Sequence, residues 1–177
     1  VGRAGPAPFR ISLNGQQYTE PVFWAFYGAP TLGTISPSSG PTDGNTSVVV
    51  SVAALGGGSD YRCAFGAVNA PGAVGVVHAS YVAAAAQVWC TSPPAASGVS
   101  GGAFAVSLNG QQYTPSSAPW VYYGVPTPVL PLPRSGPHEG GTLVAFAGAF
   151  VSNGSDYRCR CNGTVVPATG PDAWDRA

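Results

Sequence analysis

An all-β fold of tandem two-sheet sandwich modules is what the 177-residue sequence predicts, on three observations. Short β-branched or aromatic stretches alternate with turn signals along the whole chain. The one helix-like stretch, Ala83 to Val88, is too short to stand alone and reads as a loop or short turn. The whole pattern recurs with a period of about 96 residues, and internal repeats of this kind govern how a fold is read.

The repeat carries the domain organisation. Ser-Leu-Asn-Gly-Gln-Gln-Tyr-Thr runs from Ser12 to Thr19 and returns identically from Ser107 to Thr114. Trp24-Ala25-Phe26-Tyr27-Gly28 returns as Trp120-Val121-Tyr122-Tyr123-Gly124. Ser39-Gly40-Pro41 returns as Ser135-Gly136-Pro137, and Ser59-Asp60-Tyr61-Arg62-Cys63 as Ser155-Asp156-Tyr157-Arg158-Cys159. Residues 1–28 therefore match the closing strands of a module, 29–124 form a complete one, and 125–177 form the opening half of another, the two fragments being either parts of a native subunit or the edges of a window on a longer repeat protein.

Within the complete module, Thr46 to Val52 is β-branched, Phe104 to Leu108 alternates, and Trp120 to Tyr123 is aromatic-rich. All three read as strands. Turn signals separate them at Pro37 to Pro41, Asp43-Gly44, Gly56 to Gly58 and Asn109-Gly110. The last pair predicts a type I′ hairpin turn, with positive φ at both residues. About seven short strands in some 95 residues argue an immunoglobulin-like sandwich. Its expected core is Val48, Val50, Val52, Phe65, Val88, Phe104, Val106, Leu108 and Tyr122.

Composition excludes several functions. Seven arginines balance seven acids, lysine is absent, and charged residues make up 8% of the chain. No basic face for nucleic acid can be built from so few cations, nor a polybasic membrane anchor. No apolar run approaches the roughly 18 residues that span a bilayer, so no membrane insertion is expected in this segment. Gly (25) and Pro (18) are abundant, but 45% apolar content argues a folded, turn-rich chain rather than a disordered one.

Pro30 leading to Ile35-Ser36-Pro37-Ser38-Ser39-Gly40-Pro41 and Gly44 resembles the opening of IPT/TIG domains, the immunoglobulin-like repeats of plexins and related receptors. Tyr61 to Gly66, Val88-Trp89-Cys90 with Ser92-Pro93, and Val106 to Gly110 with Tyr113-Thr114 and Tyr122-Tyr123 are similar in the same order. The resemblance covers the complete module and both flanking fragments. It implies an extracellular adhesive or structural repeat, secreted or at the cell surface, with neither catalytic site nor cofactor. Nothing in the chain resembles the propeller and cysteine-rich modules of plexin-like receptors, so receptor function is not carried over. The Ala/Gly/Pro/Val/Ser bias points to a GC-rich genome, with surface proteins of green algae or protists as a candidate source.

The resemblance also implies a Cys63–Cys90 bridge, since the family often links these positions. Two buried free thiols are the alternative. Cys159 repeats Cys63 without a partner in the sequence, and Cys161 falls where the complete module has Phe65. A bridge between those two would close an unusually small ring, so their pairing stays open. His78 and His138 make no zinc-ligand spacing with any cysteine pair. Three N-glycosylation sequons begin at Asn45, Asn153 and Asn162, all in expected loops. Pro93 and Pro94, and the run from Pro126 and Pro128 to Pro133, favour polyproline II, as stiff linkers or as sites of hydroxylation and O-glycosylation.

No motif sets a base beside a nucleophile, and no phosphate loop is present, so the sequence argues against an enzyme. Two expectations remain. One is a glycosylated subunit of a surface fibre, joined head-to-tail to other copies of itself by strand complementation, with Phe23, Trp24, Phe26 and Tyr27 buried in the neighbour. The other is a recognition module of a receptor ectodomain that binds a protein or glycan ligand, for which a cluster of exposed aromatics on one sandwich face would be the sign.

Overall fold

The computed structural model describes residues 4–66, 75–97, 100–128, 130–149 and 151–170. In chain order the strands are β1 (Gly5–Phe9), β2 (Val22–Phe26), β3 (Thr31–Ser36), β4 (Ser39–Pro41), β5 (Ser47–Ala53), β6 (Arg62–Phe65), β7 (Val76–His78) and β8 (Ser80–Val82). They continue with β9 (Gln87–Thr91), β10 (Gly101–Ser107), β11 (Ala118–Tyr123), β12 (Thr127–Pro128), β13 (Gly148–Ala149), β14 (Arg158–Cys161) and β15 (Thr164–Pro167). The fold is all-β, as the sequence predicts.

Between Thr31 and Tyr123 two sheets pack face to face as an immunoglobulin-like sandwich. One has the order β4-β11-β10-β6-β7 and the other β3-β5-β9-β8. Only β4 and β11 run parallel; the remaining pairs are antiparallel. The period of two decides what lies between the sheets. On β5, Val48, Val50 and Val52 point inward while Ser47 and Ala53 stay outside. All nine residues of the expected core are buried, and Leu55, Cys63, Cys90 and Trp120 join them. Trp120 meets Phe65 edge-on, with ring centroids 4.9 Å apart, and Tyr122 the same way at 5.7 Å.

Three expectations need correction. Only Gly110 of the Asn109-Gly110 pair has positive φ. The Asn109 side chain instead accepts the Gln111 and Gln112 amides, at 3.1 and 3.0 Å, and holds a wider loop. The two-residue turn with positive φ throughout is Asn162-Gly163, which joins β14 to β15. Ala83 to Val88 divides: Ala83–Ala85 forms one 3-10 turn, and Val88 lies in β9. Thr127-Pro128 is likewise not a free polyproline segment, because it pairs with β13.

Two tyrosines tie loops to this frame. Tyr61 donates its hydroxyl to the Leu55 carbonyl at 2.7 Å and accepts the Gly58 amide at 3.2 Å. Tyr61→Phe should cost about 1 kcal/mol, read as a lower urea midpoint at unchanged slope. Tyr122 donates to the Pro93 carbonyl at 2.9 Å.

Burial pushes the hydroxyls of Tyr61 and Tyr122 above their ordinary value. Below about pH 10, the value of a free phenol, both folded and unfolded states keep the proton and the stabilisation is intact. It is lost as pH rises further, because the unfolded chain ionises first. Urea midpoints should therefore hold from neutrality to about pH 9.5 and fall beyond. A midpoint that does not move through pH 11 would contradict this.

Candidate functional site

Residues 4–28 form a two-stranded ribbon, β1–β2, that pairs with no other sheet among the described residues. Its pairing copies the sandwich's closing hairpin. Ala7 faces Trp24 and Phe9 faces Val22, as Gly102 faces Trp120 and Phe104 faces Ala118 at the equivalent repeat positions. The loops match as well. Asn14 Oδ1 accepts the Gln16 and Gln17 amides, and the Thr19 amide donates to the Ile11 carbonyl at 2.9 Å. In the sandwich, Thr114 donates to Val106 at 2.8 Å.

The two hairpins differ in what covers them. Phe104, Val106, Leu108, Trp120 and Tyr122 are 0%, 0%, 0%, 1% and 4% exposed. Their counterparts Phe9, Ile11, Leu13, Trp24 and Phe26 are 51%, 54%, 99%, 61% and 48% exposed. Local sequence is enough to set the hairpin's register, but two strands alone have no second layer to bury a face against. The hairpin shares the pairing of the sandwich's closing strands, and its corresponding face is exposed.

This geometry separates the four expected assembly residues by face. Trp24 and Phe26 lie on the bare face. Phe23 is exposed on the opposite one, where the sandwich has the exposed Pro119. Tyr27 is half-buried against the sandwich core, and fixes the ribbon to it. Phe9, Ile11 and Leu13 complete the face. The burial of their counterparts Phe104, Val106 and Leu108, beside or within the repeated octapeptide, is the signal that marks them.

The stretch from Pro126 to Gly170 repeats the opening of the sandwich. Thr127 pairs with Ala149 as Thr31 pairs with Ala53, and Leu132 bridges Ala145 as Ser36 pairs with Val49. Cys159 faces Val166 as Cys63 faces Val77. Here too the inward positions lack cover. Val144 and Phe146 are exposed, where Val48 and Val50 are buried.

Cys63 and Cys90 are joined in a disulfide across the two sheets, with Cα atoms 6.4 Å apart. Cys159 is half-buried and Cys161 exposed, and both are free. Asn45, Asn153 and Asn162 are exposed at positive φ. Of the prolines, Pro94 and Pro126 are exposed and Pro93 is half-buried, while the side chain of Pro128 lies outside the described residues. Asp60 is bound by Arg62 at 2.8 Å, and that hydrogen bond holds its carboxyl below the ordinary range. His138 pairs with the adjacent Glu139 at 3.2 Å. No group of three or more metal-ligating side chains occurs among the described residues.

Between Thr31 and Tyr123, Trp89 is the exposed large aromatic among the described residues. It sits over a shallow open groove of about 480 Å³ with His78, Ser80, Thr91 and Pro93. The IPT/TIG domain model matches residues 30–122. No curated protein matches the chain.

Proposed function

The chain belongs to the IPT/TIG domain family, and from that premise we propose a non-enzymatic structural module of a glycosylated extracellular fibre, assembled head to tail. IPT/TIG domains are immunoglobulin-like modules found in cell-surface receptors and adhesion proteins, and are typically non-catalytic. The observation that favours the fibre reading is the exposed apolar face of the β1–β2 hairpin, with Phe9, Ile11, Trp24 and Phe26. Exposed edge strands with an apolar face draw in a covering partner. A head-to-tail contact is heterologous, because two different surfaces meet. Heterologous contacts that do not close into a ring build filaments.

The buried inter-sheet disulfide suits an oxidising compartment. Glycans at Asn45, Asn153 and Asn162 would keep in solution a surface with only 8% charged residues. Pro94 and Pro126 are the accessible candidates for hydroxylation. Expression through a secretory pathway, followed by intact mass and electron microscopy, tests the reading. The expected result is a mass above the bare polypeptide and filaments in the images. Enzymatic removal of N-glycans should then lower solubility. A bare, monomeric product would contradict the proposal.

The second reading, recognition of a protein or glycan, is favoured by Trp89 over its groove. Aromatic exposure is nonetheless concentrated on the hairpin rather than on the sandwich.

A further inference from the structure

The groove at Trp89 and the sequon at Asn45 meet on one outer face of the sandwich. β9 lies inside the sheet β3-β5-β9-β8. Its Val88 and Cys90 are buried in the core, while Gln87, Trp89 and Thr91 lie on the outer side. Across the ladders, Trp89 faces Val49 on β5 and Ser80 on β8, and Thr91 faces Ser47. The indole is 47% exposed. Its N–H donates to Gln87 Oε1 at 3.4 Å, which orients the ring along its own strand.

The surroundings of the indole set the chemistry of what it can hold. Ser47, Ser80 and Thr91 bring hydroxyls to the groove, and His78 brings an imidazole. Among the described residues no carboxylate, ammonium or guanidinium lines it. A charged ligand finds no counter-charge there. An aliphatic one strips water from the hydroxyls and returns no hydrogen bond. A neutral sugar satisfies both parts, with its C–H face on the aromatic ring and its hydroxyl and acetamido groups toward the rim.

The sequon sets such a sugar at the end of the groove. Its third residue, Ser47, is itself a lining residue. Thr46 packs beside Gly40 on the core side, whereas Asn45 is exposed at positive φ, a conformation that asparagine tolerates. The backbone of the sequon is tied to the groove wall. The Asn45 amide donates to the Ser92 carbonyl at 2.8 Å, and the Ser92 amide donates to the Thr46 carbonyl at 2.8 Å. Ser92 and Pro93 line the groove in turn.

Resting on the glycoprotein reading above, we infer that the glycan carried by Asn45 folds back along this groove and stacks its first sugars on Trp89. Val49, which faces Trp89, stands four residues beyond Asn45 along the strand, about 14 Å away. The asparagine side chain and two sugar units span that distance. Covalent attachment at a fixed point makes the contact intramolecular, so a weak stacking interaction suffices to hold it. The groove is then filled by the chain's own sugar and closed to outside ligands.

Nuclear magnetic resonance of the glycan on the full 177-residue chain tests this. N153D and N162D leave Asn45 as the sole acceptor, and aspartate tolerates the positive φ of both positions. Secretory expression with isotope-labelled sugar, followed by intact mass, establishes whether Asn45 is modified. The ring current of Trp89 should shift protons of the first two sugars upfield, and W89A should abolish the shift. Peptide N-glycosidase should release the glycan from the folded protein severalfold more slowly with Trp89 than with W89A, and at equal rates after denaturation. Added chitobiose should quench Trp89 fluorescence only once the glycan is removed.

A bare mass would overturn both the glycosylation of Asn45 and this inference. A modified chain without the shift, or with a shift that survives in W89A, would overturn the inference alone and leave the glycoprotein reading standing. Equal quenching by chitobiose before and after glycan removal would show the groove open to outside sugar, and would overturn it as well.

Discussion

Trp120→Ala is expected to cost the sandwich about 3–5 kcal/mol, while Trp24→Ala changes the stability of the dissociated chain by less than about 0.5 kcal/mol. The two tryptophans occupy the same repeat position, Trp24 across from Ala7 and Trp120 across from Gly102. Trp120 is fully buried, stacked edge-on between Phe65 and Tyr122, and covers Gly40. Removing it leaves a cavity that rigid strands on both sheets cannot close. Domains of this size are stable by about 5–15 kcal/mol, so the variant should lose a large share of its native margin. Its indole N–H is buried without a partner among the described residues. Trp120→Phe, which removes that donor and keeps an aromatic edge, should therefore be milder than alanine. Urea unfolding followed by near-ultraviolet circular dichroism measures all three. Equal midpoints for the alanine variants would contradict the burial difference.

Replacing both Cys63 and Cys90 by serine is expected to cost about 3–4 kcal/mol, from the chain-entropy relation for a bridge across 27 residues. The bond joins β6 in one sheet to β9 in the other, and both sulfurs are buried in the core. For a domain of roughly 95 residues this corresponds to a melting temperature lower by about 15–25 °C. Accessibility adds a second readout. Cys161 is exposed and should react with an alkylating reagent in the folded protein at once. Cys63 and Cys90 should react only after reduction under unfolding conditions. A scanning calorimetry trace that hardly shifts in the double variant would contradict the bridge's role.

The sandwich was legible in the sequence because its strands obey simple alternation. Val48, Val50 and Val52 on β5, and Phe104 and Val106 on β10, announce their inner faces by period alone. Trp120 did not. Its neighbours Pro119 and Val121 are apolar too, so Trp120 to Tyr123 shows no alternation, and the facing sheet decides which side is buried. The Asn-Gly pairs make the same point about local signals. Asn109-Gly110 looked like a tight hairpin, but the Asn109 side chain captures two amides and widens the loop. Asn162-Gly163 makes the tight turn, joining Cys161 directly to Thr164 across the ladder. The hairpin face was half legible. The aromatic run pointed to residues 23–27, yet only alternation within the ribbon separates inward Trp24 and Phe26 from outward Phe23. Tyr27 belongs to the sandwich through a contact that repeat arithmetic cannot see.

Hydrogen exchange of the assembled protein, compared with the dissociated chain, tests the central claim most directly. The claim is that the exposed apolar face of the hairpin is covered when the chain assembles. In the sandwich, residues 104–107 and 62–65 are paired to each other by backbone hydrogen bonds. Assembly should therefore bring peptides covering residues 9–12 to protection comparable with 104–107, while dissociated chains exchange them rapidly. Equal, rapid exchange of residues 9–12 in the assembled and dissociated forms would contradict the account.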